Sequence, residues 1–243
     1  MASRRPGRPP VPPVLHSERH ASAADVLTRR AADSVAGMTG RADLRLGITD
    51  VAPVVSCGAF SARAVIGEHL PITATVFREG HDAVAASVVW TPPGGDGAAP
   101  FLHRMERFGD QPDRWLTTVV LDREGRWTYR VEAWSDPLAT WHHAVEVKIA
   151  AGQGPEELAN DLEEGARLLD RVAAEADADW RDRVSEAAAA LRDTTRELPA
   201  RVGPALAEAV QRYLHDHPLR ELVTPGPECE VWVDRPRALF GSW

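Results

Sequence analysis

Residues 70 to 77 read Leu-Pro-Ile-Thr-Ala-Thr-Val-Phe, in which Leu70, Ile72, Ala74 and Val76 alternate with the other side chains. Successive side chains of a strand point to opposite faces, so this alternation predicts a β-strand with one face in a core. Comparable runs follow at residues 84–90, 114–121, 126–134 and 141–149. The region therefore reads as consecutive short strands.

Turn-forming residues separate these runs. They are Glu79-Gly80, Pro92-Pro93-Gly94-Gly95, Glu124-Gly125 and Asp136-Pro137. Glycine and proline at such places mark chain reversals between strands. About seven short strands in roughly 100 residues fit an immunoglobulin-like β-sandwich. We therefore predict such a sandwich, an all-β domain, over residues 44–151.

After residue 151 the spacing of apolar residues changes from two to that of a helix. Gly154-Pro155-Glu156-Glu157 places a proline and two carboxylates where a helix begins. Apolar residues then recur in three groups: Leu158, Leu162, Ala166, Leu169 and Val172; Trp180, Val184, Ala187 and Leu191; Leu206, Val210 and Leu214. This predicts a small all-α bundle over residues 155–224. Its core is thin, so we expect it to dock on the sandwich or on a second subunit.

The two ends of the chain differ from these regions. Residues 1–43 combine the proline-rich run from Pro9 to Pro13 with scattered Arg, Ala and Ser, which predicts a disordered tail. Residues 229–233 suggest a short strand, and residues 229–243 are expected to lead into a further domain. We expect Trp232, Leu239, Phe240 and Trp243 to be exposed there, and proteolysis to cut before residue 43 and near residues 151–154.

Composition limits the classes of function. The 243 residues carry a formal net charge of −8, which argues against a nucleic-acid or anionic-membrane partner. Two distant cysteines, Cys57 and Cys229, favour reduced thiols. The sequence shows neither a long apolar span nor the apolar core of a signal peptide. We expect a cytoplasmic location.

The local motifs give little indication of a catalytic, cofactor-binding or metal-binding site. Gly152-Gln153-Gly154 resembles the start of a dinucleotide loop, but Glu157 occupies the position of the third glycine, which favours a hinge between domains. His142 and His143 would point to opposite faces of a strand, and His215 with His217 lacks companion ligands. We therefore assign no catalytic, cofactor-binding or metal-binding residue, and leave substrate-binding residues unassigned.

Two residue classes leave alternatives open. Glu163 with Arg167, Asp177 with Arg181 and Asp179 with Arg183 are spaced as ion pairs on solvated helix faces, although a glycosidase-like carboxylate pair could assemble from distant positions. Five tryptophans fall in the predicted sandwich: Trp90, Trp115, Trp127, Trp134 and Trp141. Burial in the core is favoured for them, and stacking on sugar rings is the alternative.

A series of motifs in chain order resembles one family. These are Val51-Ala-Pro-Val-Val, Ala64-Val-Ile-Gly-Glu68, Ala74-Thr-Val-Phe-Arg-Glu-Gly-His-Asp-Ala-Val84, Gly125-Arg-Trp-Thr-Tyr-Arg-Val-Glu-Ala-Trp-Ser-Asp-Pro137, Thr140-Trp-His142, Gly152-Gln-Gly154, Asp216-His-Pro-Leu-Arg-Glu-Leu-Val-Thr224 and Val233-Asp-Arg-Pro-Arg-Ala-Leu-Phe-Gly-Ser-Trp243. They are similar to the opening region of actinobacterial α-1,4-glucan:maltose-1-phosphate maltosyltransferases, which belong to the α-amylase superfamily, glycoside hydrolase family 13.

The resemblance implies a function that this chain would share only in part. It implies a glycosyltransferase of α-glucan biosynthesis that transfers maltosyl units with retention, through carboxylates on a (β/α)₈ barrel. That barrel is expected beyond Trp243, so no catalytic residue is transferred to this sequence. The chain is expected to be an inactive scaffold that forms a homodimer through its sandwich and helices, with maltose-1-phosphate and α-glucan binding only the full-length enzyme. The alternative is a stand-alone glucan-binding module.

Overall fold

A computed structural model describes residues 46–94, 100–111 and 113–235. This part of the chain contains ten strands, which we number in chain order. They are β1 (Leu46–Ala52), β2 (Ala62–Val65), β3 (His69–Arg78), β4 (Val84–Thr91), β5 (Phe101–Arg104), β6 (Glu106–Arg107), β7 (Arg114–Val120), β8 (Gly125–Ser135), β9 (Glu221–Pro225) and β10 (Cys229–Asp234).

The strands form two sheets around one core. One sheet has the order β1-β3-β7-β6, and the other has the order β2-β10-β8-β4-β5, with β9 paired to β8. Strand β10 runs parallel to β2 and antiparallel to β8. Ile72 and Val76 of the first sheet and Val88 and Val131 of the second are buried in the same cluster. The two sheets therefore pack as a β-sandwich.

The predicted alternation of buried side chains along residues 70–77 is confirmed. Leu70, Ile72, Ala74 and Val76 are all buried on β3. The strands predicted at residues 84–90, 114–121 and 126–134 are confirmed as β4, β7 and β8. Burying one apolar face supplies the driving force for the sheet, which is why the period-two pattern is informative here.

Five helices follow β8 in the described part of the chain. They are α1 (Pro137–Ala150), α2 (Ala159–Glu175), α3 (Ala178–Arg192), α4 (Leu198–Leu206) and α5 (Glu208–Asp216). The predicted group Trp180, Val184, Ala187 and Leu191 lies on α3. The group Leu206, Val210 and Leu214 is divided between α4 and α5, because Ala207 between them is extended. Gly203 and Pro204 lie inside α4 rather than before a helix.

The strand predicted at residues 141–149 is wrong, because this segment belongs to α1. The Asp136 side chain accepts a hydrogen bond from the Ala139 backbone N–H at 3.0 Å, and Pro137 occupies the first turn. An N-cap carboxylate followed by proline is a strong helix start. Leu138, Trp141 and Val145 then share a buried helical face, whereas Val147 is exposed.

The domain boundaries change accordingly. The division between the sandwich and the helices lies at Asp136, and not between residues 151 and 155, because α1 packs in the helical core with Leu138 and Trp141. The strand predicted at residues 229–233 is confirmed as β10, but it lies between β2 and β8 inside the six-stranded sheet. The helices are thus an insertion between two strands of one sandwich.

Other predictions fall outside this description. The tail predicted over residues 1–43 and the residues Leu239, Phe240 and Trp243 lie outside the described residues. Within the described residues, none of the helices is long and apolar enough to cross a membrane.

Candidate functional site

A cluster of buried and half-buried polar side chains lies where the helical insertion meets the six-stranded sheet. Glu132 near the end of β8 and Asp136 directly after this strand are 7% and 5% exposed. Alternation along the strand turns Glu132 and Trp134 away from the face that carries Val131 and Ala133. This arrangement directs polar side chains of the sheet toward the helices. We call this cluster of Arg104, Arg130, Glu132, Trp134, Asp136 and Arg220 the junction.

Glu132 is held between two arginines. The Arg130 Nε donates to its Oε1 at 2.7 Å, and the Arg220 Nη2 donates to its Oε2 at 2.6 Å. Burial alone would raise the pKa of Glu132, but the hydrogen bonds from Arg220 and Arg130 outweigh it and lower the pKa below its ordinary value. The carboxylate is therefore kept ionised.

Asp136 connects three elements. Its Oδ1 caps α1 through the Ala139 N–H, and its Oδ2 accepts a hydrogen bond from the Arg104 Nη2 at 3.1 Å. The Nη1 of the same Arg104 donates to the carbonyl of His215, near the end of α5, at 2.8 Å. Strand β5, the start of α1 and the end of α5 are thus joined through one guanidinium group.

Trp134 lies between the two arginines that reach across the junction. The guanidinium carbons of Arg104 and Arg220 are 5.0 and 5.7 Å from the centre of its ring. Its Nε1–H donates to the Ser87 Oγ at 3.3 Å, and the residue is fully buried. Guanidinium groups this close to an indole are attracted by its π system. The tryptophan therefore fixes both cations where they meet their carboxylates.

This chemistry suits a structural joint better than a reaction centre. A general acid needs a carboxyl whose pKa is raised toward neutrality, whereas arginines lower that of Glu132. Asp136 already accepts hydrogen bonds on both oxygens. Opposite charges that are buried and doubly bonded fix the relative position of the parts that carry them.

The dinucleotide-like motif forms the end of a helix. Gly152 has a φ of 81°, and its N–H donates to the Ile149 carbonyl at 2.9 Å, which terminates α1. The Gly154 N–H donates to the Glu157 Oε2 at 2.8 Å, so the carboxylate takes the place that a phosphate would need. The prediction of a hinge between domains is wrong, because α1 and α2 contribute to the same core.

The histidines that are close together in the sequence contact different side chains. His142 lies on a helix and not on a strand, with its Nε2 3.4 Å from the Glu146 Oε1. The His215 Nε2 is 3.3 Å from the Glu106 Oε1, whereas His217 stacks on Tyr213. Across the residues that the structure describes, no three His, Cys, Asp or Glu side chains are grouped so that they could hold a metal ion.

The helix-face ion pairs form only in part. The Arg167 Nε lies 2.8 Å from the Glu163 Oε1, which confirms the first pair. The Asp177 side chain instead caps α3 by accepting from the Trp180 N–H at 3.1 Å. Among the described side chains, neither of the other two predicted pairs forms an ion pair.

The prediction that the five tryptophans serve as core residues is confirmed. All of them are buried: Trp90, Trp115, Trp127, Trp134 and Trp141. Trp141 belongs to α1 rather than to the sandwich, and its Nε1–H donates to the Asp161 carbonyl at 2.7 Å. Trp232 differs, because 41% of it is exposed on β10.

Sequence reasoning missed the junction. Glu132 interrupts the apolar sequence Val131-Glu-Ala-Trp134, and this charge within a buried strand was the available signal. Its partner Arg220 is 88 residues away, and no local pattern pairs the two. The buried carboxylate could be suspected from the sequence, but its partners could not.

The fold and the junction define a class of protein: a β-sandwich whose six-stranded sheet is interrupted by a helical insertion, with paired charges between the two parts. Comparison with known families makes this more specific. Residues 44–235 match the family model for alpha-1,4-glucan:maltose-1-phosphate maltosyltransferase, domain N/S. The chain belongs to this family, which confirms the resemblance seen in the motifs.

Individual relatives agree with the family match. An Alpha-1,4-glucan:maltose-1-phosphate maltosyltransferase of Mycolicibacterium smegmatis is 46% identical over 224 residues, covering 82% of this chain and 32% of the relative. Maltosyltransferase 2 of Streptomyces coelicolor is 46% identical over 200 residues, with 82% and 29% covered. The Corynebacterium pseudotuberculosis protein is 42% identical over 206 residues, with 85% and 30% covered. The chain spans about a third of the length of these relatives.

Proposed function

We propose that this chain is the scaffold and dimerisation region of a cytoplasmic maltosyltransferase that extends α-1,4-glucans with maltose-1-phosphate. The match over residues 44–235 to domain N/S carries this proposal. The junction supports it, because its ion pairs join the helical insertion to the sheet, as a region that positions another domain or subunit requires. In this proposal the catalytic groups lie outside this chain, which covers about a third of its relatives.

We further infer that the sandwich is immunoglobulin-like. The order β1-β3-β7-β6 corresponds to strands A, B, E and D of that fold, and β5-β4-β8-β10 corresponds to C′, C, F and G. In this assignment the five helices are inserted between strands F and G. The antiparallel pairing of β4 with β8 and of β8 with β10 supports the assignment.

The burial of the tryptophans removes the main argument for a stand-alone glucan-binding module. Its stacking platform was to be formed by the five tryptophans, all of which are buried. A buried indole has no face free for a sugar ring.

Sedimentation velocity of the whole chain tests the proposal. We expect one species with the mass of a homodimer across a hundredfold range of protein concentration, because stable homodimers bury large interfaces. A single monomeric species at every concentration would remove the dimerisation part of the proposal.

A further inference from the structure

The sandwich and the helical insertion have separate hydrophobic cores. The buried residues of the sandwich core come from residues 46–134 and 229–233, and those of the helical core come from residues 138–219. Among the described residues, the partly buried apolar side chains packed against each core also come from its own part of the chain. Burial of apolar surface therefore stabilises each part by itself and contributes little attraction between them.

The chain passes between the two parts at two short connections. Asp136 alone separates the end of β8 from the start of α1, and residues 217–220 separate the end of α5 from the start of β9. Changes in a few backbone dihedral angles at the ends of elements are enough to turn one domain against another. Both connections can therefore serve as hinges.

Polar groups of the junction bridge the two parts. The Arg104 guanidinium group of β5 donates to the Asp136 carboxylate and to the His215 carbonyl. Arg220, in the second connection, donates to the Glu132 carboxylate of β8. Two arginines thus attach both connections and the end of α5 to the six-stranded sheet.

Contacts outside the junction add less to this attachment. The Ala83 N–H donates to the Thr140 Oγ1 at 2.8 Å, which is a single hydrogen bond between uncharged groups. Two side-chain contacts join residues whose side chains are at least 40% exposed: Arg171 with Glu221, and His215 with Glu106. Exposed pairs of this kind contribute little to stability. The attachment therefore depends mainly on Arg104 and Arg220.

We propose that the junction is an ionic latch that holds the helical insertion against the sheet. Loss of the bonds made by Arg104 and Arg220 releases the insertion, which then moves about its two connections while both hydrophobic cores remain folded. Removal of one partner from a buried ion pair leaves the other charge uncompensated, so the closed position loses its stability. The orientation of the helices is thus controlled separately from the folding of either part.

Double electron–electron resonance on the whole chain tests the latch. One spin label is attached to Cys57, which is exposed on the sandwich, and the other to Glu186→Cys on α3, in a chain that also carries Cys229→Ala because Cys229 is the second free thiol. An excess of unlabelled chain keeps distances between two copies out of the measurement. We expect one narrow distance in this parent chain, and its loss in the double variant Arg104→Gln, Arg220→Gln.

A matched control removes the same amount of charge elsewhere on the helices. Arg167→Gln with Arg212→Gln deletes two guanidinium groups whose side chains are 74% and 70% exposed, and it should keep the narrow distance. Hydrogen exchange followed by mass spectrometry reports the folding of both parts. The amides of the helices and of β3 and β8 should stay protected in the double variant.

Three results would overturn the latch. The first is an unchanged narrow distance in the double variant, and the second is a broad distance already present in the parent chain. The third is a broad distance accompanied by loss of protection in either part, since the change would then be unfolding. Equal broadening in the control variant would also contradict the proposal, because net charge and not the junction would then set the position. Dimerisation is measured separately, so failure of the scaffold proposal leaves this result interpretable.

Discussion

At the scale of single residues, Glu132 shows how a charge is accommodated inside a sheet. Burial of a lone carboxylate is unfavourable, and removal of one partner from a buried pair leaves the other charge uncompensated. Here Arg130 and Arg220 both bond to it, at 2.7 and 2.6 Å. The two arginines therefore favour the ionised form of the carboxylate.

This pairing predicts a pH-dependent contribution to stability. The pKa of Glu132 is lower in the folded chain than in the unfolded chain, where it is about 4.3. Its contribution is therefore complete above the unfolded pKa and is lost as the pH falls through the folded pKa. We expect Glu132→Gln to lower the free energy of unfolding by about 1–3 kcal/mol at neutral pH, and by less in acid.

Urea unfolding at a series of pH values measures this difference. Glu163→Gln is the control, because arginines also lower the pKa of Glu163, but its side chain is 41% exposed, and exposed ion pairs contribute little. Equal destabilisation by Glu132→Gln at neutral and acidic pH would contradict the claim that the ionised Glu132 stabilises the fold through its arginines.

At the scale of elements, α1 and α2 approach closely because Gly165 has no side chain. A Cβ atom built on Gly165 would overlap the indole of Trp141. The same indole donates to the Asp161 carbonyl of α2, and Lys148 of α1 is 2.6 Å from the Asp161 carboxylate. The contact between the two helices therefore depends on Gly165, although glycine has a low intrinsic helix propensity.

Gly165→Ala is expected to destabilise the helical insertion. Alanine favours a helix by about 0.5–1 kcal/mol over glycine, but overpacking against the indole costs about 1–3 kcal/mol and should prevail. Gly203→Ala in α4 is the matched control, because its Cβ would meet no atom within 4 Å and should stabilise the chain. Thermal unfolding followed by circular dichroism compares them, and a stabilising Gly165→Ala would refute the packing argument.

Sequence patterns predicted some of these elements better than others. The strand β3 was readable because Leu70 to Val76 alternate strictly and one face is buried. Val145, Val147 and Ile149 of α1 also alternate, which predicts a strand, although Val147 is exposed. Asp136-Pro137 is typical of a turn, yet the same two residues begin a helix. Short apolar runs fit both periods, and only tertiary packing decides between them.

At the scale of the whole molecule, the architecture depends on β10, the strand that joins the six-stranded sheet after the helices. Strand β10 pairs with β8 and β2 after an insertion of five helices, so the sandwich is completed by residues about 100 positions from β8. The sequence indicates a strand at residues 229–233 but not its partners. Pairing across such a separation has no local signal, and for the same reason the junction between Glu132 and Arg220 could not be predicted.

We propose that this chain does not catalyse maltosyl transfer by itself. Cleavage of a glycosidic bond with retention needs one carboxyl that protonates the leaving group and another that acts as nucleophile. Glu132 and Asp136 are the buried carboxylates of the described residues, and both are engaged by arginine. They stabilise the joint between sandwich and helices.

Release of phosphate from maltose-1-phosphate, with glycogen as acceptor and the whole purified chain as the protein, tests this claim most directly. We predict no release above the rate without protein, at any protein concentration, for the wild type and for Glu132→Gln alike. Release that rises in proportion to the wild-type chain, and that Glu132→Gln abolishes while Glu163→Gln retains it, would contradict the account, because the junction would then be a reaction centre.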